Sequence, residues 1–149
     1  MQRAIDVLLV EDSATDLELA MRALERYHMV KQIHSVRDGE QTLDFIFAKG
    51  AYSNRTVGTG IGLILLDLHM PRVDGFEVLR ALVFDPRASH IPVIVLTSSN
   101  HGPDVTESMR LGAKGYMVKP VDFHKLVETA RQLGFHWSLL AGQPVTATG

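Results

Sequence analysis

Short apolar runs alternate along this chain with longer segments in which apolar residues recur every three or four positions. Residues 5–10 (Ile-Asp-Val-Leu-Leu-Val) predict a buried strand. Residues 14–27 follow, with Leu17, Ala20, Met21 and Leu24 at helical spacing and Ser13 or Asp12 as the candidate cap. Residues 32–36 form a weaker strand. Asp38 is placed to cap a second helix whose apolar face holds Leu43, Phe45, Ile46 and Phe47. Residues 61–66 predict a third strand and 74–84 a third helix. Residues 91–96 predict a fourth strand with Pro92 near its start, where strands tolerate proline. A helix over 103–111 ends at Gly112, a strand covers 114–118, and a last helix covers 122–133 with Gly134 as its stop.

Five strand-then-helix units in succession imply a parallel sheet with helices on both faces. In such sheets, sites form beyond the carboxyl ends of strands. The segment 50–60 carries Gly50, Gly58 and Gly60 among small polar residues. It lacks the spacing of a dinucleotide or P-loop fingerprint, so it reads as a flexible connection.

Composition narrows the function classes. A chain of 149 residues suits one domain with a short appendage, and its 46% hydrophobic content is that of a globular protein. Cysteine is absent, which excludes disulfides and thiolate metal sites. The net charge of −2 and the lack of a basic run argue against nucleic acid as a partner. Neither a signal peptide nor a membrane-spanning run is present, so the expected location is cytoplasmic, with no membrane partner. The Asn54-Arg55-Thr56 sequon is then a chance match.

The chemistry-bearing residues lie where the sheet rule asks for them. Glu11 and Asp12 follow the first strand, Asp67 the third, Thr97 and Ser98 the fourth, and Lys119-Pro120 the fifth. Three carboxylates brought together repel by roughly several kcal/mol in a low-dielectric site, and a divalent cation relieves this. An all-oxygen ligand set suits Mg2+, or Mn2+ in its place, better than zinc. Asp67 is an oxygen nucleophile, Lys119 a fixed positive charge able to pair with it, and Thr97 a hydroxyl donor. That inventory suits phosphoryl transfer, in which positioning and electrostatics do most of the work.

At these residues the chain resembles the receiver domains of two-component response regulators. The resemblance rests on Val10-Glu11-Asp12-Ser13, on Leu65-Leu66-Asp67-Leu68-His69-Met70-Pro71 with Asp74-Gly75, on Leu96-Thr97-Ser98, and on the run from Gly112 to Pro120. It covers roughly residues 5–134. It implies a flavodoxin-like, doubly wound five-stranded parallel sheet of order 2-1-3-4-5 with five helices. It also implies roles. Asp67 is the phosphoacceptor. Glu11, Asp12, Asp67 and the His69 backbone carbonyl are the metal ligands. Thr97 is the switch hydroxyl, Lys119 pairs with the phosphoryl group, and Tyr116 is the aromatic switch. Pro120 follows Lys119 across a bond that is commonly cis in this family. The implied partner is a sensor histidine kinase, with a histidine phosphotransfer protein as an onward acceptor. The His69 imidazole either gates water or is a plain exposed side chain.

Beyond residue 134 the chain carries Phe135, Trp137, Leu139 and Leu140, which are costly to expose. They either fold back or bury against a second copy, and 145–149 reads as disordered. With the 50–60 loop, this extension resembles the stand-alone receivers that partner bacterial phytochrome kinases, which implies a homodimer through the last helix and the extension. No output module is expected, so the function is a binding switch acting on its own phosphate. A magnesium-dependent aspartyl phosphatase is disfavoured because His69 stands where such enzymes carry a second aspartate. A degenerate dimerisation module is disfavoured by the intact Asp67, Thr97 and Lys119.

Overall fold

Five parallel strands, Ile5–Val10 (β1), Ile33–Val36 (β2), Ile61–Leu66 (β3), Val93–Thr97 (β4) and Gly115–Val118 (β5), pair in the order β2-β1-β3-β4-β5. The computed structural model describes residues 5–26, 33–58, 60–70, 72–98 and 101–133. Phe135, Trp137, Leu139 and Leu140 lie outside the described residues. The helices are Ala14–Arg26 (α1), Gly39–Ile46 (α2), Gly75–Val83 (α3), Gly102–Arg110 (α4) and Phe123–Gln132 (α5). This is the flavodoxin-like order and helix count that the sequence implies.

The sheet is apolar on both faces because its residues alternate between two cores. Val7, Leu9, Leu63, Leu65, Ile94 and Leu96 pack with Ala20 and Leu24 of α1 and Leu126, Val127 and Ala130 of α5. Their neighbours Leu8, Val10, Ile64, Leu66, Val93 and Val95 pack with Phe45 and Ile46 of α2 and Val78, Leu79 and Leu82 of α3. Continuous apolar runs are therefore required, and a one-residue slip would exchange the two cores.

The helices begin where side chains can satisfy their first N–H groups. Asp38 accepts from Gln41 N, Asp74 from Glu77 N and Asp122 from Lys125 N. Of the two candidate caps for α1, Ser13 does the work, its Oγ accepting from Asp16 N at 3.2 Å. The fourth strand starts later than the sequence suggests, at Val93, because Pro92 has no N–H for the ladder. Its carbonyl still accepts from Ile64 N at 3.0 Å. Thr97 is the last residue of β4 rather than the first beyond it.

Residues 50–58, expected to be a flexible connection, make specific contacts with α2 and β2. Gly50–Tyr52 forms a 3₁₀ turn, and Gly58 N donates to Ile46 O at 2.9 Å. Tyr52 stands edge-on to Phe45, whose ring stacks on His34 with centroids 4.3 Å apart. The Arg55 guanidinium lies 3.8 Å above the Phe45 ring, and its Nε donates to Phe45 O at 3.2 Å. His34 Nε2 and the Tyr52 hydroxyl share a hydrogen bond of 3.2 Å. The segment's small polar residues are thus joined by two aromatic anchors, supplied by α2 and β2.

Two glycines let the segment after β3 press against its neighbours. A Cβ on Gly75 would meet Leu68 Cα at 2.6 Å and Asp67 O at 2.7 Å. One on Gly39 would meet Val73 O at 1.9 Å. Arg72, in the left-handed region at φ 66°, pairs there with Asp38 and Glu40 at 3.6 and 3.5 Å.

Two predictions follow from packing. Gly75→Ala forces backbone against backbone and should lower unfolding free energy in urea by roughly 2–3 kcal/mol, as overpacking does elsewhere. His34 is held below its ordinary value of 6.5 by burial and then by the Arg55 charge. Above 6.5 the imidazole is neutral in both states. As the pH falls the unfolded chain protonates first, so stability is lost between 6.5 and the lower folded value. His34→Phe keeps the stack and removes the titration. The wild type should therefore lose more urea stability than this variant between pH 7 and 5, and parallel losses would contradict this account.

Candidate functional site

Strand register brings the acidic residues together. Val10 pairs with Leu66, so the next residues, Glu11 and Asp67, lie side by side beyond the sheet. The backbone continues the pattern: Asp67 N donates to Val10 O and Glu11 N to Val36 O, both at 3.1 Å. This is the point where strand order reverses, between β1 and β3, and such points are where doubly wound sheets bind ligands. On the other flank Thr97 pairs with Val118, and Lys119 N donates to Thr97 O at 2.7 Å. Lys119 is thereby delivered next to the end of β4.

Glu11, Asp12 and Asp67 each present a carboxylate oxygen, and all three oxygens lie within 4.8 Å of one another. Glu11 and Asp67 are buried, while Asp12 is half-buried. The Lys119 ammonium enters this group. It donates to Glu11 Oε1 at 2.6 Å, to Asp16 Oδ2 at 2.9 Å and to Asp67 Oδ2 at 3.4 Å. The other Asp67 oxygen accepts from the His69 backbone N–H at 3.2 Å. The other Glu11 oxygen accepts from Ser13 N at 3.2 Å.

Burial raises the Glu11 carboxyl to about 7; the Lys119 hydrogen bond opposes this and the Asp67 charge adds to it. Burial also works against the Lys119 ammonium, but its bonds to Glu11 and Asp16 and the charge of Asp67 outweigh that, holding it above the ordinary lysine range. The two directions agree physically. One cation faces more negative charge than it can balance, and the most buried carboxyl bears the excess.

That excess is the observation by which a divalent cation can be judged. The donors are three hard oxygens at close range, with one ammonium insufficient to neutralise them. This donor set fits Mg2+ or Mn2+, and the absence of thiolate and imidazole donors disfavours zinc.

The remaining sequence-derived residues lie on β4, β5 and the segments that follow β3 and β5. Thr97 is fully buried at the end of β4. Tyr116 is half-buried on β5, packed against the core that lies under α2 and α3. The Lys119-Pro120 bond is cis. The His69 imidazole is 56% exposed and directed at Asp104 of α4, with Nε2 3.6 Å from Oδ2. Its contact is thus with the first turn of α4. An open groove of about 390 Å³ lies beside the site, lined by Leu9, Leu19, Ala20 and Phe123 together with Glu11, Asp16 and Lys119.

Asp16 is the residue that sequence reasoning missed. It sits on the first turn of α1, where an acidic residue ordinarily reads as helix-terminus electrostatics. Its position three residues after the Ser13 cap gives no signal of a site, because an acidic residue there reads as a capping partner.

Comparison with known proteins agrees with this geometry. The family model described as "Response regulator receiver domain" matches residues 7–131. A solved structure of the bacteriophytochrome response regulator AtBRR is 40% identical, with a TM-score of 0.80, covering 93% of this chain and 99% of that one. The bacteriophytochrome response regulator RtBRR is 41% identical, with a TM-score of 0.81, covering 95% of this chain and 85% of that one. Response regulator Rcp1 from Synechocystis sp. is 34% identical over 131 residues, which is 88% of this chain and 87% of that protein. A structure of Rcp1 in its Mn2+-bound form has a TM-score of 0.71 at 33% identity, covering 87% of this chain and 91% of that one. With a family model spanning most of its length and relatives matched nearly end to end, this chain belongs to the response-regulator receiver family.

Proposed function

We propose that this protein is a single-domain response regulator in which Asp67 accepts a phosphoryl group from a sensor histidine kinase. The observation that carries this reading is the convergence of Glu11, Asp12 and Asp67 within 4.8 Å, with the Lys119 ammonium bonded into the same cluster. An Asp67 oxygen attacks phosphorus on the donor's phosphohistidine. The P–N bond breaks, its electron pair stays on the imidazole nitrogen, and an acyl phosphate is left on Asp67. Glu11, Asp12, Asp67 and the His69 backbone carbonyl would hold Mg2+, which when bound would neutralise charge on the phosphoryl oxygens. Lys119 pairs with a second phosphoryl oxygen and the Thr97 hydroxyl donates to a third.

The same reading gives the output. Thr97 moves toward the new acceptor oxygens, Tyr116 turns into the space it leaves, and the face built from α4, β5 and α5 changes. Catalysis is confined to the protein's own phosphorylation and dephosphorylation. The names of AtBRR and RtBRR support a phytochrome as the kinase; an onward acceptor in this reading is a histidine phosphotransfer protein. Residues 1–134 are the receiver in this reading. Phe135, Trp137, Leu139 and Leu140 join two copies into a homodimer, since so much apolar surface favours burial. The location is cytoplasmic, consistent with the lack, among the described residues, of any helix long and apolar enough to cross a membrane.

Intact-protein mass after incubation with acetyl phosphate and Mg2+ tests the acceptor. Wild type should gain one labile phosphate, and Asp67→Asn should gain none. Chelating the metal should reduce adduct formation on wild type by at least tenfold. A folded wild type that gains no phosphate would overturn the reading.

A further inference from the structure

Asp16 stands outside the acidic trio, yet it holds the Lys119 ammonium more closely than Asp67 does, at 2.9 against 3.4 Å. Its orientation has a local cause. Ser13 and Asp16 are the cap and third residues of α1, where an acidic side chain ordinarily turns back to accept the cap's own N–H. Here Glu11 Oε2 accepts that N–H at 3.2 Å. Ser13 Oγ still accepts from Asp16 N, so the helix start is satisfied without the Asp16 carboxylate. Released from capping, that carboxylate reaches across to Lys119. Its side chain is 40% exposed and lines the groove beside the site, so the contact lies at the mouth of the cluster rather than in its depth.

We propose that Asp16 is a positioning residue, a resting dock for the Lys119 ammonium that competes with the phosphoryl group for it. The proposal rests on the reading of Asp67 as phosphoacceptor. Glu11 and Asp67 are both oxygen donors of the acidic trio, so a divalent cation there draws their charge away from Lys119. Asp16 is not in that trio. Its hold on the ammonium persists when the other two weaken, and the lysine must leave it, at least in part, to meet a phosphoryl oxygen. Asp16 therefore sets how readily Lys119 turns inward, without touching the reacting atoms itself.

The test compares wild type, Asp16→Asn and Asp16→Glu by two measurements. In metal-free protein, the Lys119 side-chain carbon and proton NMR signals should shift in Asp16→Asn and stay near wild type in Asp16→Glu. With acetyl phosphate and Mg2+, Asp16→Asn should form adduct roughly threefold faster, the size expected for losing one partly exposed ion pair. Asp16→Glu should restore the wild-type rate. Unchanged Lys119 signals in Asp16→Asn overturn the proposal by themselves. So does an unchanged rate while wild type is phosphorylated normally. An acceleration of the same size in a Lys119→Ala background would assign the effect to net charge alone and also overturn it. If wild type forms no adduct, the reading of Asp67 fails instead, and the NMR comparison still decides whether Asp16 holds the lysine.

Discussion

The Lys119 ammonium is bound by carboxylates from three separate stretches of chain: Glu11 after β1, Asp16 on α1 and Asp67 after β3. A single cation among so many anions is stable only where the backbone leaves them no freedom to separate. The pairing of Val10 with Leu66, and of Thr97 with Val118, supplies that restraint. The pairing in turn depends on two cores filled by alternate residues of each strand. Site and core are therefore one problem. The apolar alternation that buries Leu9 on one face and Val10 on the other is also what sets Glu11 against Asp67.

Most of the fold was legible because its signals are local. Buried parallel strands must be apolar throughout, and amphipathic helices must repeat at their own period, so each element announces itself within a few residues. Asp38, Asp74 and Asp122 occupy helix N-caps for the same local reason. Glu11, Asp12, Asp67, Thr97 and Lys119 were findable because each stands at or directly beyond the end of a strand. That is a positional rule rather than a contact.

What stayed hidden depends on contacts between distant residues. The anchoring of residues 50–58 comes from Tyr52 and Arg55 meeting Phe45, and from Tyr52 meeting His34. Nothing within the loop's own composition encodes those partners. The start of β4 shifted because Pro92 contributes a carbonyl to the ladder but no N–H. Asp16 escaped notice because its role is decided by Glu11, which occupies the N–H that Asp16 would otherwise accept. A capping pattern read alone assigns that carboxylate to the helix, and only the neighbouring side chain redirects it.

The close approach of Gly75 to the Asp67 carbonyl has a mechanical side. No methyl group fits between the start of α3 and the backbone of Asp67 and Leu68, and the next turn of chain is wedged in the same way against Gly39. That flank of the site has no room for one more methyl group. On the opposite flank Thr97 and Lys119 close the site, and β5 is an edge strand with a neighbour on one side only. The two flanks thus differ in packing like a fixed jaw and a free one, and the asymmetry is present before any ligand arrives.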